Sequence, residues 1–494
     1  MKRVLLASAL LLAGCATDPR SAQRARLEPE VAAIAAPLGG GITQIRDKAI
    51  DPPDIDRLFL AALGHLSVID PDMRVEAIGN EVAFYYGEVA IAQAPRPRPQ
   101  DIAGWVETTQ RLIESARKVS KPLGTSTSET LLQSMYEAIM PQLDNYSRYS
   151  GRRDAQRNGV MRNGFVGLGM DLESVPEGAR VRLTLKDGPA DDGGILPDDI
   201  IVRAQGQRLA GQPLAAILRR LDGPKDMLVR MIVKRGDDEI AVSARRSLII
   251  PETVKGEVIN GVLELSVKSF NQRTASTIAE KVAAAGPVRG IVLDLRGDPG
   301  GLLDQAVAVA DLFMEKGVIA TLRGRHPGAM QFYAATGGDI SLGAPIVMLL
   351  DGRSASASEI LAAALQENGR AIAVGTASVG KGTVQTIVPL ANGGELALTW
   401  ARVFTPAGAI LAGRGVVPDV CTSGAQTEGG QLLDTLVKAG PRRRMAAEAA
   451  RTTCRPEPHA GAAVDAEVAR RLIDDSALRT ALHLPEAGQL ATSP

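Results

Sequence analysis

The sequence predicts a multidomain protein of mixed class, α/β and α+β together: a helical N-terminal region, a β-rich middle and an α/β layer after it. Three observations carry this. Apolar residues recur at helical spacing as far as about residue 140, short β-like runs broken by Gly and Asp begin near 164, and past Pro251 apolar strands alternate with helices. The 494 residues give room for about three domains. At 45% apolar and 23% charged residues the chain lies far from the composition of disordered chains.

The same numbers exclude several functions. Basic and acidic residues balance at 56 each, so no overall field draws nucleic acid or an anionic membrane. Two Trp, six Tyr and seven Phe are too few for a base-stacking platform. Three Cys and four His, scattered singly, form neither a Cys-rich zinc site nor an HExxH helix, so no metal and no cofactor is expected.

In chain order, Lys2 and Arg3 precede an apolar run over 4–13, about half the length of a bilayer-spanning helix, which reads as a signal peptide over 1–14. The string Leu12-Ala13-Gly14-Cys15 resembles the bacterial lipoprotein signal; the resemblance implies that Cys15 becomes the lipidated N-terminus, the alternative being an ordinary signal peptide with an incidental Cys. The expected location is the periplasmic or outer-surface face of a bacterial envelope membrane, lipid-anchored, since no later run is long enough to span a bilayer. That compartment is oxidising and leaves Cys421 and Cys454 as an even pair, either a disulfide pinning the C-terminal segment or two buried thiols.

Residues 15–160 read as mainly helical. Ile55, Leu58, Phe59, Ala62, Leu63 and Leu66 share one stripe, and Ile102, Trp105, Val106, Leu112 and Ile113 another. A third helix is predicted to start at Ser126 with Glu129 completing a capping box. Between the first two, 94–100 (Ala-Pro-Arg-Pro-Arg-Pro-Gln) predicts a stiff polyproline-like surface strap. The middle region, 164–247, has strand-like runs at 181–185, 200–203, 228–234 and 239–244 and one short helix at 214–221. Over 251–423 the strands 290–295 and 346–350 are followed by helices at 302–316 and 359–367. The stretch 424–494, with Arg442, Arg443 and Arg444, reads as a helical or loosely packed tail.

The chemistry gathers where the strand 346–350 runs through Asp351-Gly352-Arg353 into Ser354-Ala355-Ser356-Ala357-Ser358-Glu359. Only Ser356 has a Glu at +3, which makes it a candidate N-cap; the same spot suits a nucleophile, because helix N-terminal N–H groups stabilise developing negative charge. The base is not an obvious His: His65, His459 and His483 lie in distant segments and His326 in a turn. Lys381 lies at the next chain reversal, between Gly380 and Gly382, and could take the proton if burial pulled its amine well below the ordinary lysine range. Residues 375–381 also satisfy G-x-x-x-x-G-K, but Gly382 stands where Ser or Thr is required and 383–389 alternates like a strand, against a phosphate loop; a solvated hairpin lysine is the bland alternative.

Four separated motifs then coincide: 354–360 (Ser-Ala-Ser-Ala-Ser-Glu-Ile), 379–385 (Val-Gly-Lys-Gly-Thr-Val-Gln), Leu293-Asp294-Leu295-Arg296 followed by Gly300-Gly301, and Phe404-Thr405-Pro406 with 415–419 (Gly-Val-Val-Pro-Asp). Together they resemble the carboxyl-terminal processing (tail-specific) serine proteases, over about 131–420. The resemblance implies a crotonase/Clp-protease-like α/β core with Ser356 as nucleophile, Lys381 as general base, Gln385 orienting that lysine, and an oxyanion hole from the N–H groups of Gly300 and Ala357. This chain departs from the family pattern at Gly297 and Asp298, where Asn is usual, and at Arg353, where Gly is usual. The region 164–247 resembles a PDZ domain, with Gly167-Leu168-Gly169-Met170 as its carboxylate-binding loop, a signature from Gly188-Pro189-Ala190 through 194–201, and Asp198 where Gly is usual. The chain is therefore expected to be a periplasmic, lipid-anchored serine endopeptidase acting near exposed C-terminal tails of proteins or peptides. The alternative is a catalytically silent PDZ-containing tail-binding or scaffolding lipoprotein. Expected partners are such tails and the membrane through its anchor, with an adaptor or a homo-oligomer left open and nucleic acid excluded.

Overall fold

The computed structural model describes residues 28–424, 431–434, 451–458 and 463–481. Cys15 with its signal, and Arg442, Arg443 and Arg444, lie outside the described residues. The chain forms two compact units: one holds the described residues up to Ala155 together with Gln385–Thr399, the other Gln156–Val384 and the described residues from Trp400 on.

The first unit is built on the helices Ala35–Lys48, Ile55–Gly64, Ile102–Val119 and Ser128–Ile139, whose apolar stripes meet in one core. Phe59 stacks on Trp105 at 5.4 Å, and the indole N–H reaches Asp56 Oδ1 at 2.9 Å, so the large ring is buried without orphaning its donor. Two expectations change here. The region is not only helical: Met73–Ile78, Glu81–Tyr86 and Val89–Pro95 form an antiparallel meander, and Ala94 and Pro95, read as part of a strap, end its last strand. The cap of the third helix is Thr127, whose side chain accepts from Thr130 N–H, while Ser126 Oγ donates to the Pro122 carbonyl and Glu129 accepts from the Tyr149 hydroxyl. Residues 395–397 pair with Arg148–Ser150, and Val388, Leu390, Leu396 and Leu398 join this core.

The second unit carries two sheets that matter for the site. The PDZ-like part orders its strands Asp238–Arg245, Leu228–Arg235, Ile200–Ala204, Gly178–Thr184, Met170–Val175, all antiparallel, so Met170–Val175 is an edge. The helix Leu214–Leu221 buries Ile217 and Leu221 against it. Asp198 takes φ +70°, a left-handed position that explains the usual Gly there and that Asp tolerates better than most residues.

The α/β layer is a six-stranded sheet in the order Val254–Ile259, Val262–Val267, Gly290–Asp294, Ile346–Leu350, Ala371–Gly375, Val420–Cys421, parallel from the second strand on. The strands Ile346–Leu350 and Ala371–Gly375 are buried throughout, which is why they read as continuous apolar runs. Helices Thr274–Ala285, Leu303–Leu312 and Ala357–Glu367 bury their apolar residues in the core on one face, and Ala463–Asp474 packs Val468, Leu472 and Ile473 on the other. The described C-terminal segment is thus a packed layer rather than a loose tail. Among the described residues no helix is long and apolar enough to cross a membrane.

Candidate active site

Three hydroxyls crowd the turn after Ile346–Leu350, and the structure separates them. Ser354 is fully buried and its Oγ donates to the Leu295 carbonyl at 2.9 Å; Ser358 is fully buried and donates to the Asp298 carbonyl at 3.1 Å. Ser356 alone of the three is half-exposed. It caps the helix Ala357–Glu367 at φ +58°, ψ −114°, a conformation that non-glycine residues adopt only when their surroundings force it and that recurs where chemistry is done. The turn leading into it is tied down. Buried Asp351 accepts the N–H groups of Arg353 and Ser354 and, across to the neighbouring loop, of Gly297 at 2.9 Å.

That neighbouring loop presses against the serine. Gly300 has φ +98°, and a Cβ there would lie 2.9 Å from Ser356 Cβ and 2.7 Å from the Ala355 carbonyl oxygen, so no side chain fits. The oxyanion-hole expectation needs a correction at this point. The Gly300 N–H is turned to Asp298 Oδ1 at 2.8 Å, which occupies the donor that a substrate oxygen would use. Ala357 N–H, by contrast, is the first amide of its helix and belongs to the donors that an α-helix leaves without an internal partner.

Asp298 is fully buried and its Oδ2 meets no partner. Burial pushes its carboxyl up to about 7, against the Gly300 N–H, Ser358 and Lys268, which pull it down. The folded protein therefore holds a proton here that the unfolded chain has lost. The resulting stability is present below about pH 4 and lost as pH rises to about 7. Asp298→Asn keeps an acceptor for Gly300 and removes the ionisation. It should melt above the wild type at pH 8, with the gap closing as pH falls toward 4; calorimetric scans across that range check it.

Lys381 is half-buried, and its turn is drawn to the serine's by one carboxylate. Glu359 Oε2 accepts the N–H groups of Ser356 at 2.8 Å and of Lys381 at 2.9 Å; its Oε1 accepts Ser378 Oγ at 2.5 Å and Gly380 N–H at 2.6 Å. Burial pushes the Glu359 carboxyl above its ordinary range, while these four donors hold it down. Glu359 was legible only as the local capping partner; the other three donors come from 378–381. Gly382 sits where a Cβ would strike the backbone of Ala412, so the lysine turn packs directly on the 411–413 segment. The strand Thr383–Pro389 comes next, which removes the phosphate-loop reading.

Gln385 lies on that strand with its Nε2 3.3 Å from Thr399 Oγ1, inside the first unit. Gly167 ends the strand Phe165–Gly167, Leu168 is buried, Gly169 has φ +73°, and Met170 opens the edge strand, so the proposed carboxylate loop leads into the edge to which a peptide could add. Cys421 and Cys454 form a disulfide with Cα atoms 5.8 Å apart. Among the described residues no group of three or more His, Cys, Asp or Glu could hold a metal ion.

Against this geometry, residues 261–422 match the family model described as Peptidase family S41. A carboxy-terminal-processing protease of Bartonella bacilliformis is 34% identical over 304 residues, 59% of this chain and 69% of that protein. The chain belongs to peptidase family S41. This S41 member is a serine peptidase by family. A probable CtpA-like serine protease of Staphylococcus epidermidis is 31% identical to it over 305 residues, 60% of this chain and 61% of that protein. A solved photosystem II D1 C-terminal processing protease shares 26% identity, with a TM-score of 0.34, over 58% of this chain and 81% of that one.

Proposed function

We propose that this peptidase is an exported, lipid-anchored endopeptidase that cleaves proteins or peptides near exposed C-terminal tails through a Ser356–Lys381 dyad. The observation that carries the reading is the strained, half-exposed Ser356 at a helix N-terminus, its N–H and that of Lys381 held on the same buried carboxylate. The neutral Lys381 amine takes the Ser356 proton as Oγ bonds to the scissile carbonyl carbon. The resulting oxyanion is stabilised by Ala357 N–H and the helix dipole. Lys381 then returns the proton to the leaving amine, and a water deprotonated by the same lysine releases the acyl group. Gly300 joins the oxyanion hole only when its N–H leaves Asp298. The role of Gln385 in orienting the lysine rests on the family resemblance.

Tail recognition falls to the PDZ-like part: a peptide adds to the edge strand Met170–Val175 and seats its carboxylate on N–H groups of the loop formed by Gly167, Leu168, Gly169 and Met170. Anchoring rests on the Leu12-Ala13-Gly14-Cys15 string, and the disulfide supports an oxidising compartment. The test uses one substrate with free and with amidated C-terminus. The amidated form should turn over more slowly, while labelling of Ser356 by a small serine-directed probe stays unchanged; equal turnover would overturn tail reading. In a fractionated bacterial host, Cys15→Ala should move the protein from the membrane to the soluble fraction.

A further inference from the structure

The C-terminal segment lies past the residues that match the family model, yet it reaches all three turns of the site from behind. At the oxyanion loop, Arg296, paired with Asp294, donates Nη1 to fully buried Asp465 at 3.0 Å, and Asp465 also accepts Thr422 Oγ1 at 2.6 Å. At the nucleophile turn, the Glu457 carbonyl accepts Gly352 N–H at 2.7 Å and Thr376 Oγ1 at 2.8 Å. At the lysine turn, Arg451 Nη1 donates to the carbonyls of Ser378 and Arg414, each at 2.8 Å. Gly415 leaves the room: a Cβ there would lie 2.5 Å from Arg451 Nη1.

Ser378 is the residue through which such a contact reaches the chemistry. Its Oγ donates to Glu359 Oε1 and accepts Val416 N–H, and its N–H bonds the Val416 carbonyl, so Arg451 fixes the last free edge of a residue already tied to the carboxylate that holds both catalytic turns. Cys454 lies midway between Arg451 and Glu457 in the chain, and its disulfide fastens that short stretch to Cys421, the end of the last strand of the sheet. Cys421 is half-buried and Cys454 is 1% exposed, so Cys421 is the more open side of the bond to a dithiol.

We propose that Arg451 is a positioning residue for the lysine turn, kept in place by the Cys421–Cys454 disulfide, and that reducing this bond lowers turnover without loosening substrate binding. The inference rests on Lys381 as the base. In the reduction the S–S bond breaks and two thiols form, the two electrons and two protons coming from a dithiol reductant that closes to its own cyclic disulfide.

The test is kcat and KM of the full-length protein on a fluorogenic peptide, oxidised and after dithiothreitol, with thiol titration to show that reduction is complete. No cysteine takes part in the dyad, so the reagent has no other catalytic target. Reduction should lower kcat at least about tenfold, as expected for a misplaced catalytic group. KM should stay within about twofold, since ground-state binding is untouched. Arg451→Ala should show the same split while oxidised, Arg451→Lys should recover part of the loss, and Cys421→Ser/Cys454→Ser should be slow with or without reductant. Wild-type kcat in folded Arg451→Ala, or a change confined to KM, would overturn the proposal. If Arg451→Ala does not fold, full kcat in the completely reduced wild type overturns it instead. Lys381→Ala keeps the two readings apart, because activity retained there removes the dyad whatever Arg451 does.

Discussion

Ser356→Ala and Lys381→Ala each lower peptide hydrolysis by at least about 10⁴-fold in folded protein, and the double variant is little slower than either single one. The first removes the only half-exposed hydroxyl of the turn, and its buried neighbours cannot substitute, since Ser354 and Ser358 are committed to the carbonyls of Leu295 and Asp298. On the proposed mechanism the second removes the proton acceptor without which the Ser356 hydroxyl stays a poor nucleophile. Non-additivity is the signature of groups that act in one step: once either is gone, the other has nothing to act on. Initial rates, with circular dichroism to verify folding, decide it. A folded Ser356→Ala protein that still cleaves would remove Ser356 as the nucleophile, and losses that multiply in the double variant would mean that serine and lysine work in separate steps.

What could be read from the sequence divides by distance along the chain. The nucleophile turn was legible because strand, hydroxyl cluster and helix follow one another directly over 346–367 and each obeys a local rule. The meander was missed although its signal is local. The two-residue turns Gly79-Asn80 and Gly87-Glu88, with Gly at φ +57° and +59°, join its strands, and that is a hairpin signature. The helix Ala35–Lys48 was hidden by Pro37 and three consecutive glycines. Pro37 falls in its first turn, where its missing N–H is no loss, and Gly41 faces the Tyr136 hydroxyl, where a Cβ would strike it. Arg451 and Glu457 had no signal at all. Arg451 reaches main-chain carbonyls tens of residues away and Glu457 offers its own carbonyl to Gly352 N–H and Thr376 Oγ1, and such distant bonds leave no periodicity. Asp298 stood out only as a departure from the family pattern; that it occupies the Gly300 N–H is a matter of geometry.

Glu359→Gln should slow the enzyme strongly, although the two side chains are almost the same size and the Glu359 carboxylate is spent on four donors of the chain itself. A carboxylate offers two acceptor oxygens, and here each takes two donors: Ser356 and Lys381 N–H on one, Ser378 Oγ and Gly380 N–H on the other. The glutamine amide has one acceptor oxygen and one NH₂. Placed toward Oε2, the NH₂ opposes the N–H groups of the Ser356 and Lys381 turns; placed toward Oε1, it opposes Gly380 N–H, and the Ser378 hydroxyl, which can still accept, loses the oxygen to which its own O–H donates. Either way one or two buried donors lose their acceptor, at about 1–3 kcal/mol each. The turns carrying Ser356 and Lys381 are then free to separate, and a misplacement of about 1 Å is enough for roughly 100-fold in rate. Glu359→Gln is therefore expected to lose at least about 100-fold in kcat with KM nearly unchanged, and to melt below the wild type. Glu359→Asp, which keeps the charge but falls one methylene short, should recover some stability and little turnover. Full kcat in a folded Glu359→Gln protein would show that the two turns hold their spacing without the shared carboxylate.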